Sequence, residues 1–224
     1  MKALLLSIAA AGLFAAPASA QQTYSGYGTE PFWDVSINGR RMTFNTPEPG
    51  TRVTTTVDRV RNTPNGRVYS SRRMTVTVAR LDPCSDGMSD FLYADTVTVT
   101  IGRQRFEGCG GRMLPPETLA DTNWTIQSIN GADVSRREGY TLQFTGDQVT
   151  GRAGCNRFNG TYRVTREGFQ AGPLQMTRMA CQGPAMQHER AVANLLRGRL
   201  RLTYPEGQFM VMTGPSGSIR LRRN

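Results

Sequence analysis

Apolar and polar residues alternate with a period of two through most of the chain, which predicts a mainly β protein. Phe32-Trp33-Asp34-Val35-Ser36-Ile37 alternates, and Asn38-Gly39 suits a two-residue hairpin turn with Arg41 to Phe44 as the returning strand. Thr51 to Arg61 reads as one Thr- and Val-rich strand, turned by Pro64-Asn65-Gly66. Arg73 to Leu81 and Thr96 to Ile101 alternate again, and the polar stretch between them carries Cys84. Leu114 to Thr118, with Pro115 and Pro116 adjacent, predicts a stiff linker. Beyond it, Asn123 to Ile129, Tyr140 to Phe144, Val149 to Arg152 and Thr161 to Thr165 read as strands punctuated by Asn130-Gly131, Gly146-Asp147 and Glu167-Gly168. Pro184 to Leu196 alone has helical spacing: Ala185, Val192 and Leu196 form a stripe with Met186 and Ala193 beside it. Pro184 suits the first helical position and Gly198 a stop. Leu200 to Tyr204, Phe209 to Met212 and Ser218 to Leu221 predict three closing strands. The expected fold is mainly β (α+β). Two small antiparallel β domains, residues 21–113 and 119–224, flank a linker at 114–118, and one helix packs on the second sheet.

The first twenty residues break this pattern. Lys2 precedes an apolar run from Ala3 to Ala16, Pro17 ends the run, and Ala18-Ser19-Ala20 has the small-x-small form cut by signal peptidases. Residues 1–20 are therefore expected to be a cleaved signal peptide, with Gln21 as the mature start. The apolar run is short for a bilayer and no basic stop-transfer cluster follows it. The expectation is a periplasmic or secreted bacterial protein without a transmembrane segment after cleavage. About 204 residues remain, enough for two domains of roughly 100 residues each.

Export changes the meaning of the four cysteines, because disulfides persist outside the cytoplasm. Four cysteines allow three pairings. If there are two domains, only Cys84–Cys109 with Cys155–Cys181 keeps each bond inside its own domain. Each would close a loop of about 25 residues, a stabilisation of roughly 3–4 kcal/mol by chain entropy. Zinc is not expected, since no C-x-x-C occurs and His188 is the only histidine.

Charge narrows the partners. Lys2 is the only lysine, so the mature chain carries 26 arginines against 17 carboxylates, a formal +9. The arginines are scattered, as the codon usage of a GC-rich genome would scatter them, yet their sum favours anionic envelope components. Catalytic constellations are not evident. His188 sits on the expected helix, where it reads as a surface residue, and no serine or cysteine in the sequence marks itself as its partner. The glycines follow turn logic and not a phosphate-binding fingerprint. Asp86, Asp90 and Asp95 offer hard oxygen donors, but they lack the spacing of a calcium loop and read as turn residues. The expectations are no catalytic residue, no metal, no cofactor and no nucleic-acid partner.

Gly151-Arg152-Ala153-Gly154-Cys155-Asn156-Arg157-Phe158-Asn159-Gly160-Thr161-Tyr162, then Met176-Thr177-Arg178-Met179-Ala180-Cys181 and Glu189, with Trp124 ahead of them, resemble the META/HslJ family over about residues 118–222. The resemblance implies a β fold with one helix, an envelope location and a link to heat-shock or antibiotic stress, without naming a reaction. Asn156, Arg157, Asn159 and Arg178 are the candidate ligand or partner contacts, against the alternative that the motif only holds the fold together. In the first half, Gly28-Thr29-Glu30-Pro31-Phe32-Trp33 and Cys84-Ser85-Asp86-Gly87-Met88-Ser89-Asp90 are similar to an uncharacterised family of bacterial envelope proteins. Some of its members are joined to lysozyme-inhibitor or META domains. The expected function is a non-catalytic exported envelope protein, a stress-related binding or interaction module whose partner is an envelope protein or anionic component. The alternatives are a lysozyme-inhibitor-like protein, which at +9 would repel a basic lysozyme, and an unrecognised enzyme acting on envelope material.

Overall fold

The computed structural model describes residues 23–47, 50–180 and 182–224. The expected signal segment lies outside them. Among the described residues, the first half holds ten strands: β1 (Tyr24–Thr29), β2 (Phe32–Asn38), β3 (Arg41–Asn45), β4 (Arg52–Thr56), β5 (Arg59–Thr63), β6 (Gly66–Ser70), β7 (Thr75–Ala79), β8 (Cys84–Ser85), β9 (Leu92–Ile101) and β10 (Gln104–Met113). They pair antiparallel in the order β4-β3-β2-β1-β10-β9-β7-β6-β5, and β8 adds onto β9.

The ends of that order dictate the sheet's shape. β4 and β5 are its two edges, yet only Val57 and Asp58 separate them in sequence. Laid flat, nine strands about 4.8 Å apart would hold these edges about 38 Å from each other. Three Cα steps reach only about 11 Å. The sheet therefore curls into a half-barrel. Val57 N–H donates to the Arg40 carbonyl at 2.7 Å and Asp58 N–H to the Ser70 carbonyl at 2.9 Å, tying the joint to both sides. Val57 is buried with Trp33, Val35, Ile37, Met42, Phe44, Val76, Val78, Val97 and Val99. Valines point inward and threonines outward along β7 and β9, the pattern expected of a sheet with one covered face. The expected single strand from Thr51 to Arg61 is thus two strands, broken where the sheet closes on itself. β1 and β6 were not expected, because glycine and tyrosine mask their alternation.

The Cys84–Cys109 disulfide is present, with Cα atoms 5.5 Å apart across a separation of 25 residues. Cys155 is also disulfide-bonded. Cys181, its expected partner, lies outside the described residues.

The second half contains β11 (Thr122–Ile129), β12 (Ala132–Asp133), β13 (Thr141–Thr145), β14 (Gln148–Arg152), β15 (Arg157–Thr165), β16 (Gly168–Ala171), β17 (Gln175–Met176), α1 (Ala185–Leu196), β18 (Arg199–Glu206), β19 (Phe209–Gly214) and β20 (Gly217–Arg223). Eight of these strands close a ring, β11-β13-β14-β15-β16-β18-β19-β20, because β20 pairs back onto β11. An eight-stranded barrel is just wide enough for side chains to fill it. Trp124, Leu142, Phe144, Phe158, Phe169, Leu200, Met210 and Leu221 do so, and Val192, Leu195 and Leu196 of α1 join the same core. The helix begins one residue later than expected, with Pro184 as its N-cap. It ends where Gly198 N–H donates to the Leu195 carbonyl.

The halves touch through Arg223. Its guanidinium donates to the Asp90 carbonyl at 3.1 Å and lies 5.0 Å from the centre of the Phe91 ring. Burial holds Arg223 below the usual arginine range. Gly207, in the β18–β19 turn, lies against the Met113 carbonyl so closely that a Cβ there would come within 1.9 Å of it.

Candidate ligand-binding face

The turns after β13 and β14 set which side chains share the outer face of the barrel. The Gly146-Asp147 hairpin pairs Thr145 with Gln148, so Gln143 lies opposite Thr150 and Thr141 opposite Arg152. β15 continues the register, with Thr150 opposite Asn159 and Arg152 opposite Arg157. β17 completes it by placing Gln175 beside Asn159. Because alternate residues point to opposite faces, two rows cross the strands. One is Gln143-Thr150-Asn159-Gln175. The other is Thr141-Arg152-Arg157, closed by Thr177, whose N–H donates to the Arg157 carbonyl at 3.0 Å.

These rows line an open groove of about 760 Å³, floored by Gly139, Gly151, Phe158 and Met176. Among the described residues, its lining holds two arginines, three amides and three hydroxyls, and no carboxylate. Arg152 Nε donates to the Gly154 carbonyl at 2.8 Å, which orients that guanidinium. Gly154 has φ +154°, and a Cβ there would come within 2.7 Å of the Ala185 carbonyl. The helix start therefore packs on the turn that holds Arg152.

Behind the groove lies a buried polar clamp. Asn156 is 1% exposed and its amide is fully engaged. Nδ2 donates to the Met179 carbonyl at 3.0 Å and to Glu189 Oε2 at 2.8 Å. Oδ1 accepts from Thr177 Oγ1 at 2.8 Å and from Met179 N–H at 2.7 Å. The clamp pins segment 177–179 and thereby one wall of the groove. Of the four candidate contacts, Arg157 and Asn159 line the groove, Asn156 is the clamp beneath it, and Arg178 is exposed outside the lining. Gln143, Thr150, Arg152 and Gln175 belong to the face and were not singled out. The two-residue turn at Gly146-Asp147 would have exposed the first three, since it fixes the β13–β14 register, whereas Gln175 joins the face only through the β15–β17 pairing.

Residues 117–223 match the META domain family model. The META half thus coincides with the closed barrel and its helix. Among solved structures, an NMR structure of a protein from Burkholderia xenovorans is 26% identical with a TM-score of 0.41, covering 47% of this chain and 83% of that one. A second NMR structure is 23% identical with a TM-score of 0.41, covering 49% and 95%. No curated protein matches the chain.

Other sites are committed elsewhere. The cavity of about 1290 Å³ in the first half has one buried carboxylate, Asp95, which accepts from Arg80 Nε at 2.8 Å. Asp86 accepts from the N–H groups of Met88 and Ser89. Burial alone would raise its carboxyl, but these bonds and the Ser89 hydroxyl hold it below the usual range. Among the described residues, no group of three or more His, Cys, Asp or Glu side chains could hold a metal. No helix among them is long and apolar enough to cross a membrane. His188 is half-buried, with Nδ1 3.0 Å from the Tyr140 hydroxyl, instead of lying free on the helix surface.

Proposed function

We propose that the protein is a non-catalytic, exported module of the bacterial envelope that binds an anionic envelope component in the META groove. The groove carries this reading: two arginines and six neutral polar side chains converge on one face, with no carboxylate among the described lining residues. Guanidinium forks suit planar anions and form bidentate, charge-assisted hydrogen bonds with them. The META half has 14 arginines against 8 carboxylates, so the wider field draws anions toward the face. The first half acts as a disulfide-braced partner unit, positioned by Arg223 at the Asp90–Phe91 loop. Location in the envelope and a stress-related role belong to the same proposal.

The test compares mature protein with an Arg152→Ala/Arg157→Ala variant in binding to an isolated envelope polysaccharide fraction. An Arg59→Ala/Arg61→Ala variant, which loses the same charge from the exposed edge strand β5, serves as the control. The groove variant should lose at least tenfold in affinity while the control stays close to the parent. Equal binding by all three proteins would sink the proposal.

A further inference from the structure

We infer that the groove is built for a carboxylated glycan, recognised by its hydroxyls on one row and its acid group on the other. The inference rests on the binding role proposed above and names its ligand class.

Neighbouring strands lie about 4.8 Å apart, so four aligned positions span about 14 Å, and the rows are offset along the strands by about 7 Å. That is an elongated patch, suited to a short run of linked sugars lying across the strands. The row Gln143-Thr150-Asn159-Gln175 offers only amides and a hydroxyl. An amide both donates and accepts, which matches a sugar hydroxyl that does the same. Among the described residues, the side chains of Gln143, Thr150, Asn159 and Gln175 make no hydrogen bond within the protein, so their capacity faces outward.

The second row differs in kind. Arg152 and Arg157 are opposite each other across β14 and β15, and Arg157 is exposed. Arg152 uses Nε on the Gly154 carbonyl, which leaves its terminal nitrogens for a ligand. Thr177 has donated its hydroxyl to Asn156. Charge on the patch is therefore confined to one row, where Thr141 adds a neutral hydroxyl, and the other row is wholly neutral. A bare polyanion would use mainly the first, and a neutral sugar mainly the second. A carboxylated sugar uses both.

The wall that carries Gln175 and Thr177 is held by the Asn156 clamp, so the rows are ordered before a ligand arrives. Preorganisation of this sort lowers the entropy lost on binding.

The experiment titrates mature protein with oligogalacturonate, polyglutamate of matched carboxylate number and neutral dextran, by calorimetry at one salt concentration. Oligogalacturonate should bind at least tenfold more tightly than polyglutamate, and dextran more weakly than both. An Asn159→Ala/Gln175→Ala variant should bind oligogalacturonate no better than polyglutamate. Equal affinity of the parent for oligogalacturonate and polyglutamate overturns the glycan inference and leaves the anion-binding function standing. Dextran binding as tight as oligogalacturonate overturns it from the other side. Binding of none of the three overturns the inference, and the function stands or falls on the envelope-fraction assay.

Discussion

Asn156 Nδ2 donates to Glu189 Oε2 at 2.8 Å, joining the glycine-rich turn to the helix across 33 residues of sequence. Both side chains are buried. At least four hydrogen bonds converge on this one amide, and a buried polar group left without its partner loses far more than an average bond is worth. Asn156→Ala should therefore destabilise the META half by about 2–4 kcal/mol. Asn156→Asp keeps the acceptor side, loses both donors and sets a second carboxylate against Glu189, so it should destabilise at least as much at pH 7. Denaturant unfolding followed on Trp124 in a Trp33→Phe background measures both. An unchanged midpoint would show that the clamp is dispensable.

The two tryptophans make a second experiment possible, since Trp33 is buried in the first core and Trp124 in the second. Cys84–Cys109 closes a loop of 25 residues, for which chain entropy predicts about 3–4 kcal/mol. Cys84→Ser/Cys109→Ser should lower the Trp33 transition by about that much and move the Trp124 transition little. Equal shifts in both signals would mean that the halves unfold as one unit through the Arg223 contact.

Much of this architecture was legible in the residues, and what escaped has physical causes. Asn38-Gly39 and Gly146-Asp147 announced hairpins because their backbone demands are local. The valine–threonine alternation of β7 and β9 announced a covered and an open face. The break at Val57 was not legible, since it depends on two edge strands meeting at the end of a curled sheet, a non-local event. The glycine-rich signature around Cys155 marked the right neighbourhood, yet its most distinctive polar residue, Asn156, turned inward. Polarity alone does not say which way a turn residue points. The binding rows needed the register between strands, which the sequence encodes only through turn lengths.

His188 provides a pH-dependent readout of the helix packing. Burial first, and then the charge of Arg137, hold its imidazole below the ordinary value of 6.5. Its Nδ1 faces the Tyr140 hydroxyl at 3.0 Å, which can donate to the neutral ring. The sign follows from linkage. Above about pH 6.5 the ring is neutral in the folded and the unfolded chain alike, and its contribution to stability is fully present. As the pH falls below that value the unfolded chain takes up a proton that the folded chain resists, and the contribution is lost. The Trp124 unfolding midpoint should therefore drop between pH 7.5 and pH 5.5, before most carboxylates titrate. His188→Gln should flatten that drop while retaining a hydrogen-bonding side chain for Tyr140. A parent and variant with parallel pH profiles would show that His188 does not titrate against folding.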